Sequence, residues 1–186
     1  MKKYLLAICL IVFLSKTKAQ EASVETSVYG LQIGILGFWA HNEARLSNAI
    51  ALRSELGVEL GYNDSVLASQ SGFYGGISII VEPRWYYNLN RRISKNKRID
   101  GNTGNFISLR VNYHPDVLLF SEIDNLDLIS DISIIPSYGL RRSLGQHFNY
   151  EFAFGIGYIE YLEEYNSIFE ESDVGVNLHL RIGYRF

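Results

Sequence analysis

The last thirteen residues impose a two-residue period on the chain. Val174, Val176, Leu178, Leu180, Ile182, Tyr184 and Phe186 are apolar, whereas Gly175, Asn177, His179, Arg181, Gly183 and Arg185 between them are small, polar or charged. Successive side chains of a strand point to opposite faces, so this spacing sends all seven apolar groups to one side of a sheet. Six upstream stretches repeat it: 148–158, 132–141, 107–114, 77–87, 50–62 and 29–39. No helical periodicity of useful length competes, and the expected fold class is all-β.

Side-chain volume decides which face is inside. The apolar rows carry most of the Trp, Tyr, Phe and Ile, while the polar rows hold nine glycines, among them Gly57, Gly139, Gly155, Gly157 and Gly183. A small barrel has an interior only just wide enough for side chains to fill, so the glycine-rich row belongs inside and the bulky apolar row outside. A final strand rising about 3.3 Å per residue and tilted about 40° spans roughly 33 Å, enough to cross the roughly 25 Å apolar band of an outer-membrane barrel. The expectation is a closed antiparallel transmembrane β-barrel of about eight strands, seven of them visible. A soluble two-sheet sandwich is the alternative.

Composition agrees with one compact domain: 186 residues, 47% hydrophobic, 20% charged and 3 Pro exclude disordered and collagen-like chains. The longest apolar run, 4–14, is too short for a spanning helix. Preceded by Lys2 and Lys3 and followed by the small and polar residues 15–19, it has the order of a secretory signal peptide cleaved near Ala19. Ile8 before Cys9 is too bulky for lipoprotein processing. Residues 1–19 are therefore read as signal peptide and 20–186 as the barrel domain. That leader holds four of the 17 basic residues and none of the 20 acidic ones, so the mature chain carries 13 against 20, a net charge of −7. Nucleic acid is not an expected partner. The mature chain lacks Cys and is not a disulfide scaffold.

The alternating close of 177–186, ending on Tyr184 and Phe186, resembles the C-terminal signal of Gram-negative outer-membrane β-barrels. With the run 82–88 (EPRWYYN) before a basic segment, it is similar to small barrel-domain proteins of that class that carry no assigned activity. The resemblance implies an outer-membrane location, membrane lipid around the wall and the barrel-assembly machinery as reader of the strand ending at Phe186. It transfers architecture and no functional residue.

In such barrels the last strand ends in the periplasm. Antiparallel alternation then puts 143–147, 89–104 and 40–46 on that side, with Phe38, Trp39, Trp85, Tyr87, Tyr138, Phe148, Tyr150, Tyr184 and Phe186 as an aromatic girdle. Segments 114–131 and 159–173 become outer hairpins. Seven strands, however, leave the first one starting outside, whereas single-chain barrels have even counts. The missing strand comes either from residues 20–28 or from two strands read as one.

The expected inner row sets Arg53, Arg84, Arg110, Arg141, Arg181 and Arg185 against Glu55, Glu59, Glu82, Asp131 and Glu151, close to balance, as buried charges require. A side-chain-plugged lumen with a structural or surface-interaction role is the leading reading, not an enzyme; a narrow gated pore and a lipid-modifying hydrolase are the rivals. For the hydrolase, only His114 with Ser121 and Glu122 could form a triad. His41 and His147 are expected in periplasmic turns and His179 in the lumen, without an assigned charge partner for His114. The acidic residues of the outer hairpins (Asp116, Glu122, Asp124, Asp127; Glu160, Glu163, Glu164, Glu170, Glu171, Asp173) suit hard cations or plain solvation. No metal or cofactor is assigned. Arg91, Arg92, Lys95, Lys97 and Arg98 suit anionic headgroups or solvent.

Overall fold

The computed structural model describes residues 22–63, 71–162 and 172–186. The expected signal peptide and the acidic residues Glu163, Glu164, Glu170 and Glu171 lie outside them. Nine strands follow in order: β1 (Ser27–Gly34), β2 (Gly37–Arg45), β3 (Ile50–Asn63), β4 (Gly72–Trp85), β5 (Asn105–His114), β6 (Leu118–Ser121), β7 (Asp131–Leu144), β8 (Phe148–Tyr161) and β9 (Ser172–Arg185). One short helix, α1 (Leu89–Ile93), and a 3-10 turn (Asp100–Asn102) interrupt them.

Eight of the strands close an antiparallel barrel. Each pairs with its neighbours in the order β1-β2-β3-β4-β5-β7-β8-β9, and β9 returns to β1 through Gly30↔Arg185 to Gly34↔Arg181. The sandwich alternative is thereby excluded. β6 is a continuation rather than a ninth stave: after Pro115, which has no N–H to give a ladder, residues 118–121 resume antiparallel pairing along the upper part of β4, Gly76↔Leu118 to Tyr74↔Ser121.

The missing strand came from a merged pair. Stretch 29–39 is two strands joined by the two-residue turn Ile35-Leu36, with Gly34 paired to Gly37. Gly37, at φ +145, takes a backbone conformation open to glycine, and a Cβ there would lie 2.0 Å from the Val58 carbonyl oxygen. Across such a turn Ile33 faces Phe38, so the outward row passes from odd to even numbers. Trp39 therefore points inward and is buried, which removes it from the expected girdle, and Phe38 beside the turn sits away from it. Residues 40–46, expected as a turn, belong mostly to β2; His41 is consequently a buried, inward residue rather than a periplasmic one. With eight strands the start of β1 and the end of β9 fall at one end of the barrel, and the parity conflict disappears.

The polarity of the wall is inverted relative to a water-soluble protein. Leu31, Ile33, Leu56, Ile107, Leu109, Phe154, Leu178, Leu180 and Ile182 are exposed on the outside, while Arg53, Glu82, Arg84, Arg141 and Glu151 are buried within. Glycines of the inward row make room for large neighbours. A Cβ on Gly139 would stand 2.3 Å from the Phe106 ring, and one on Gly57 2.1 Å from Trp39.

At the end of the barrel that holds Arg185, a stretch of the chain packs against the strands. Segment 86–104 folds back under the strands: Tyr86, Leu89 and Phe106 pack with Ala22, Val24, Ala51 and Ala153, flanked by Ile93 and Ile99. Asn102 ties this cap down, its Nδ2 donating to Glu43 Oε1 at 2.6 Å and its Oδ1 accepting from Glu25 N at 2.7 Å. The length of 89–104, excessive for a turn, is accounted for by this inward fold. Arg91, Lys95, Lys97 and Arg98 remain exposed on its outer side.

Candidate functional site

Cross-strand register places the interior charges opposite one another. Arg53 lies across from Glu43 on one side and Glu82 on the other, and Glu151 lies between Arg141 and Arg181. Glu151 is the hub: Arg84 donates to both its oxygens at 2.9 Å, Arg141 Nε donates at 2.8 Å and His179 Nε2 lies at 3.2 Å. Glu43 is the second hub, 3.0 Å from Arg141, 3.4 Å from Arg53 and 3.8 Å from Arg84, and it also accepts from Tyr86 Oη at 2.8 Å. Arg84 further reaches Glu82 at 2.8 Å, and Arg53 bonds Glu55 and Gln32. Arg181 bonds Glu55 at 2.7 Å with its guanidinium 3.6 Å above the Trp39 ring, a cation–π stack. Removing these charges from water is costly, and only the multiple hydrogen bonds each one makes offset the penalty.

Above the network, the residues expected to form a triad, His114, Ser121 and Glu122, do not come together. His114 has charge partners after all: its Nδ1 is 3.0 Å from Asp131, its cross-strand neighbour, and its Nε2 is 3.1 Å from Glu59. Ser121 and Glu122 do not join it. Ser121 Oγ bonds the backbone of Ile123, and Glu122 accepts from Phe73 N at 2.9 Å, so the expected triad is not assembled. Both imidazole nitrogens face carboxylates, which makes His114 a bridge between acids. Two adjoining cavities of about 440 and 410 Å³ share Glu59, His114 and Asp131 in their walls.

The remaining expected residues take structural places. Arg185 closes on Asp100 and lies 3.4 Å from Glu25 at the end covered by 86–104. There Arg98 donates to Asp100 at 2.7 and 2.8 Å, and these bonds, with that of Arg185, hold the Asp100 carboxyl below its usual range. His147 stacks on Tyr184 in the turn between β7 and β8. Trp85–Tyr87, Tyr87–Tyr138, Phe148–Tyr184 and Tyr184–Phe186 are in ring contact along the outside. Sequence reasoning missed Glu43, Gln32, Tyr86 and Asn102. Glu43 was hidden by the merged β1–β2 pair, although Gly34 and Gly37 around a two-residue gap mark the turn, whereas Gln32 stood in the inward row but, being uncharged, was not counted with the network.

No family model matches the chain, and neither a curated protein nor a solved structure does. The architecture itself, a small closed eight-stranded antiparallel barrel, is compatible with an outer-membrane barrel.

Proposed function

We propose that this protein is an outer-membrane β-barrel whose lumen is closed by its own side chains and which serves as a structural or surface-interaction module rather than as a pore. The observation that carries the reading is the inverted wall: isoleucine, leucine and phenylalanine exposed around the outside, and fully buried arginine–glutamate pairs inside. In water that arrangement leaves a large apolar surface unpartnered; in hydrocarbon it is the favoured one, and the β9–β1 pairing joins the two strands that would otherwise be open edges at the Arg185 end. The absence of a long apolar helix among the described residues is no obstacle, because a barrel crosses with strands. The Arg/Glu layer and the cap formed by 86–104 lie across the interior, and both oppose a continuous water column. Within this reading the outward row Leu180, Ile182, Tyr184 and Phe186 is the segment offered to assembly machinery, and membrane lipids are the partner of the wall.

Heat-modifiable gel mobility tests it. The mature chain folded into detergent should migrate as a compact species without heating and as an unfolded one after boiling, and planar bilayers holding it should show no steady conductance. A single heat-independent band would contradict the membrane barrel, and an ohmic channel would contradict the closed lumen.

A further inference from the structure

The barrel wall is incomplete on one side. Pairing between β1 and β9 stops at Gly34↔Arg181, yet β9 extends nine residues further to Ser172, paired there only with β8. On the other flank, β2–β3 pairing stops at Gly37↔Glu59, while β3 continues to Asn63 against β4. The short β1–β2 hairpin thus leaves a lateral notch above its turn, with β9 and the end of β3 as its sides. The rim is apolar: Ile35 and Leu36 on the turn, Val176, Leu178 and Leu180 on β9, all more than half exposed. The cavity of about 410 Å³, within the range of small-ligand sites, touches both this rim and the interior wall.

Three residues that line the cavity each carry a buried donor without a hydrogen-bond partner: Trp39 Nε1, Arg110 Nη1 and Arg181 Nε. Arg110 is the clearest. Its nearest carboxylates, Glu82, Glu59 and Glu55, stand at 3.7, 3.8 and 3.9 Å, which balances its charge without a good hydrogen bond. Indole and guanidinium groups donate and cannot accept, so the complement to this set is a group rich in acceptor oxygens.

We propose that the cavity binds a single-chain anionic amphiphile that enters sideways from the lipid phase. Its carboxylate or phosphate head is held by Trp39, Arg110 and Arg181, and its acyl chain leaves through the notch past Leu36 and Leu178. The proposal rests on the membrane reading above, since a lateral opening supplies amphiphile only where the wall faces lipid.

Trp39 is the reporter. The chain has two tryptophans, so Trp85→Phe leaves Trp39 alone. That barrel, folded in dodecyl maltoside, is titrated with 9,10-dibromostearate and with its methyl ester. Saturable quenching by the acid, absent or about tenfold weaker for the ester, is expected, because charge-assisted hydrogen bonds contribute about that much. Arg110→Gln should weaken the acid about tenfold. Competition by palmitate assigns the head as carboxylate, and competition by 1-palmitoyl lysophosphatidate alone assigns it as phosphate. Equal quenching by acid and ester, or an unmoved midpoint in Arg110→Gln, overturns the proposal. Should Arg110→Gln fail to give the compact gel species, Leu36→Asp on the exposed turn carries the test: weaker saturable quenching supports the site, and unchanged quenching overturns it. A Trp85→Phe barrel without heat-modifiable mobility fails the membrane reading instead, separately from binding.

Discussion

Replacing Glu151 with alanine removes the carboxylate on which Arg84 and Arg141 both close, in a place with no exposed side-chain surface. Breaking a buried pair by deleting one partner costs about 3–5 kcal/mol, because the surviving charge is left desolvated and underbonded. Two arginines are affected, but each keeps a second carboxylate: Glu82 at 2.8 Å for Arg84 and Glu43 at 3.0 Å for Arg141. The lower end of the range, about 3 kcal/mol, is therefore expected. With a urea slope near 2 kcal/mol per molar, the unfolding midpoint of the detergent-folded barrel should fall by about 1.5 M. Glu151→Gln, which keeps the volume and one acceptor oxygen, should fall less. Arg84→Ala combined with Glu151→Ala should cost less than the sum of the two single changes, since the partners share one interaction. A midpoint loss in Glu151→Ala no larger than a surface substitution produces, about 0.5 kcal/mol, would refute the claim that this network holds the interior together.

His114→Ala leaves Glu59 and Asp131 without their bridge and should lower the urea midpoint by an amount equivalent to about 1–2 kcal/mol, as expected for lost hydrogen bonds to partly exposed charged groups. Gly157→Ala would set a Cβ 2.2 Å from the Ile134 carbonyl oxygen and 2.7 Å from Ile135 Cα, backbone atoms that cannot swing aside. It should cost about 2–3 kcal/mol in the same titration, whereas Gly145→Ala, with open space but φ +70, should cost only about 1. Asp100, with its carboxyl depressed first by the Arg98 hydrogen bonds, contributes stability that is present above the usual carboxylate range and lost as the pH falls through its folded value. Asp100→Asn should accordingly show a smaller drop in midpoint between pH 6 and pH 3 than the wild type does.

Period and volume make most of the wall legible in the sequence. The alternation of 174–186 is regular because that strand faces a uniform environment on each side, and β8 and β7 repeat it for the same reason. β2 was illegible because its outward row, Phe38, Ala40, Asn42 and Ala44, is weakly apolar, and because the two-residue turn before it reverses the parity of the pattern. Glu43 was lost with it, and with Glu43 the second hub of the network. The charge row was readable as a set of types, and every arginine named there does face inward; which glutamate meets which arginine depends on side-chain reach across the lumen, which spacing does not encode. The cap of 86–104 has no period at all. Its placement comes from Tyr86, Leu89 and Asn102 finding partners far away in sequence, and only the excessive length of the segment hinted at it.

In a membrane barrel the apolar outside meets hydrocarbon, and spin labels report that contact directly. The one cysteine of the chain, Cys9, lies in segment 1–19, so single cysteines at outward positions can be spin-labelled cleanly. With Leu109→Cys on β5, Phe154→Cys on β8 and Leu180→Cys on β9, each at an exposed site, collision of the nitroxide with oxygen and with a water-soluble nickel chelate is measured in phospholipid vesicles. High oxygen and low nickel accessibility are expected at all three positions. Nickel accessibility as high as that of a label at exposed Lys97 on the cap would contradict contact with hydrocarbon.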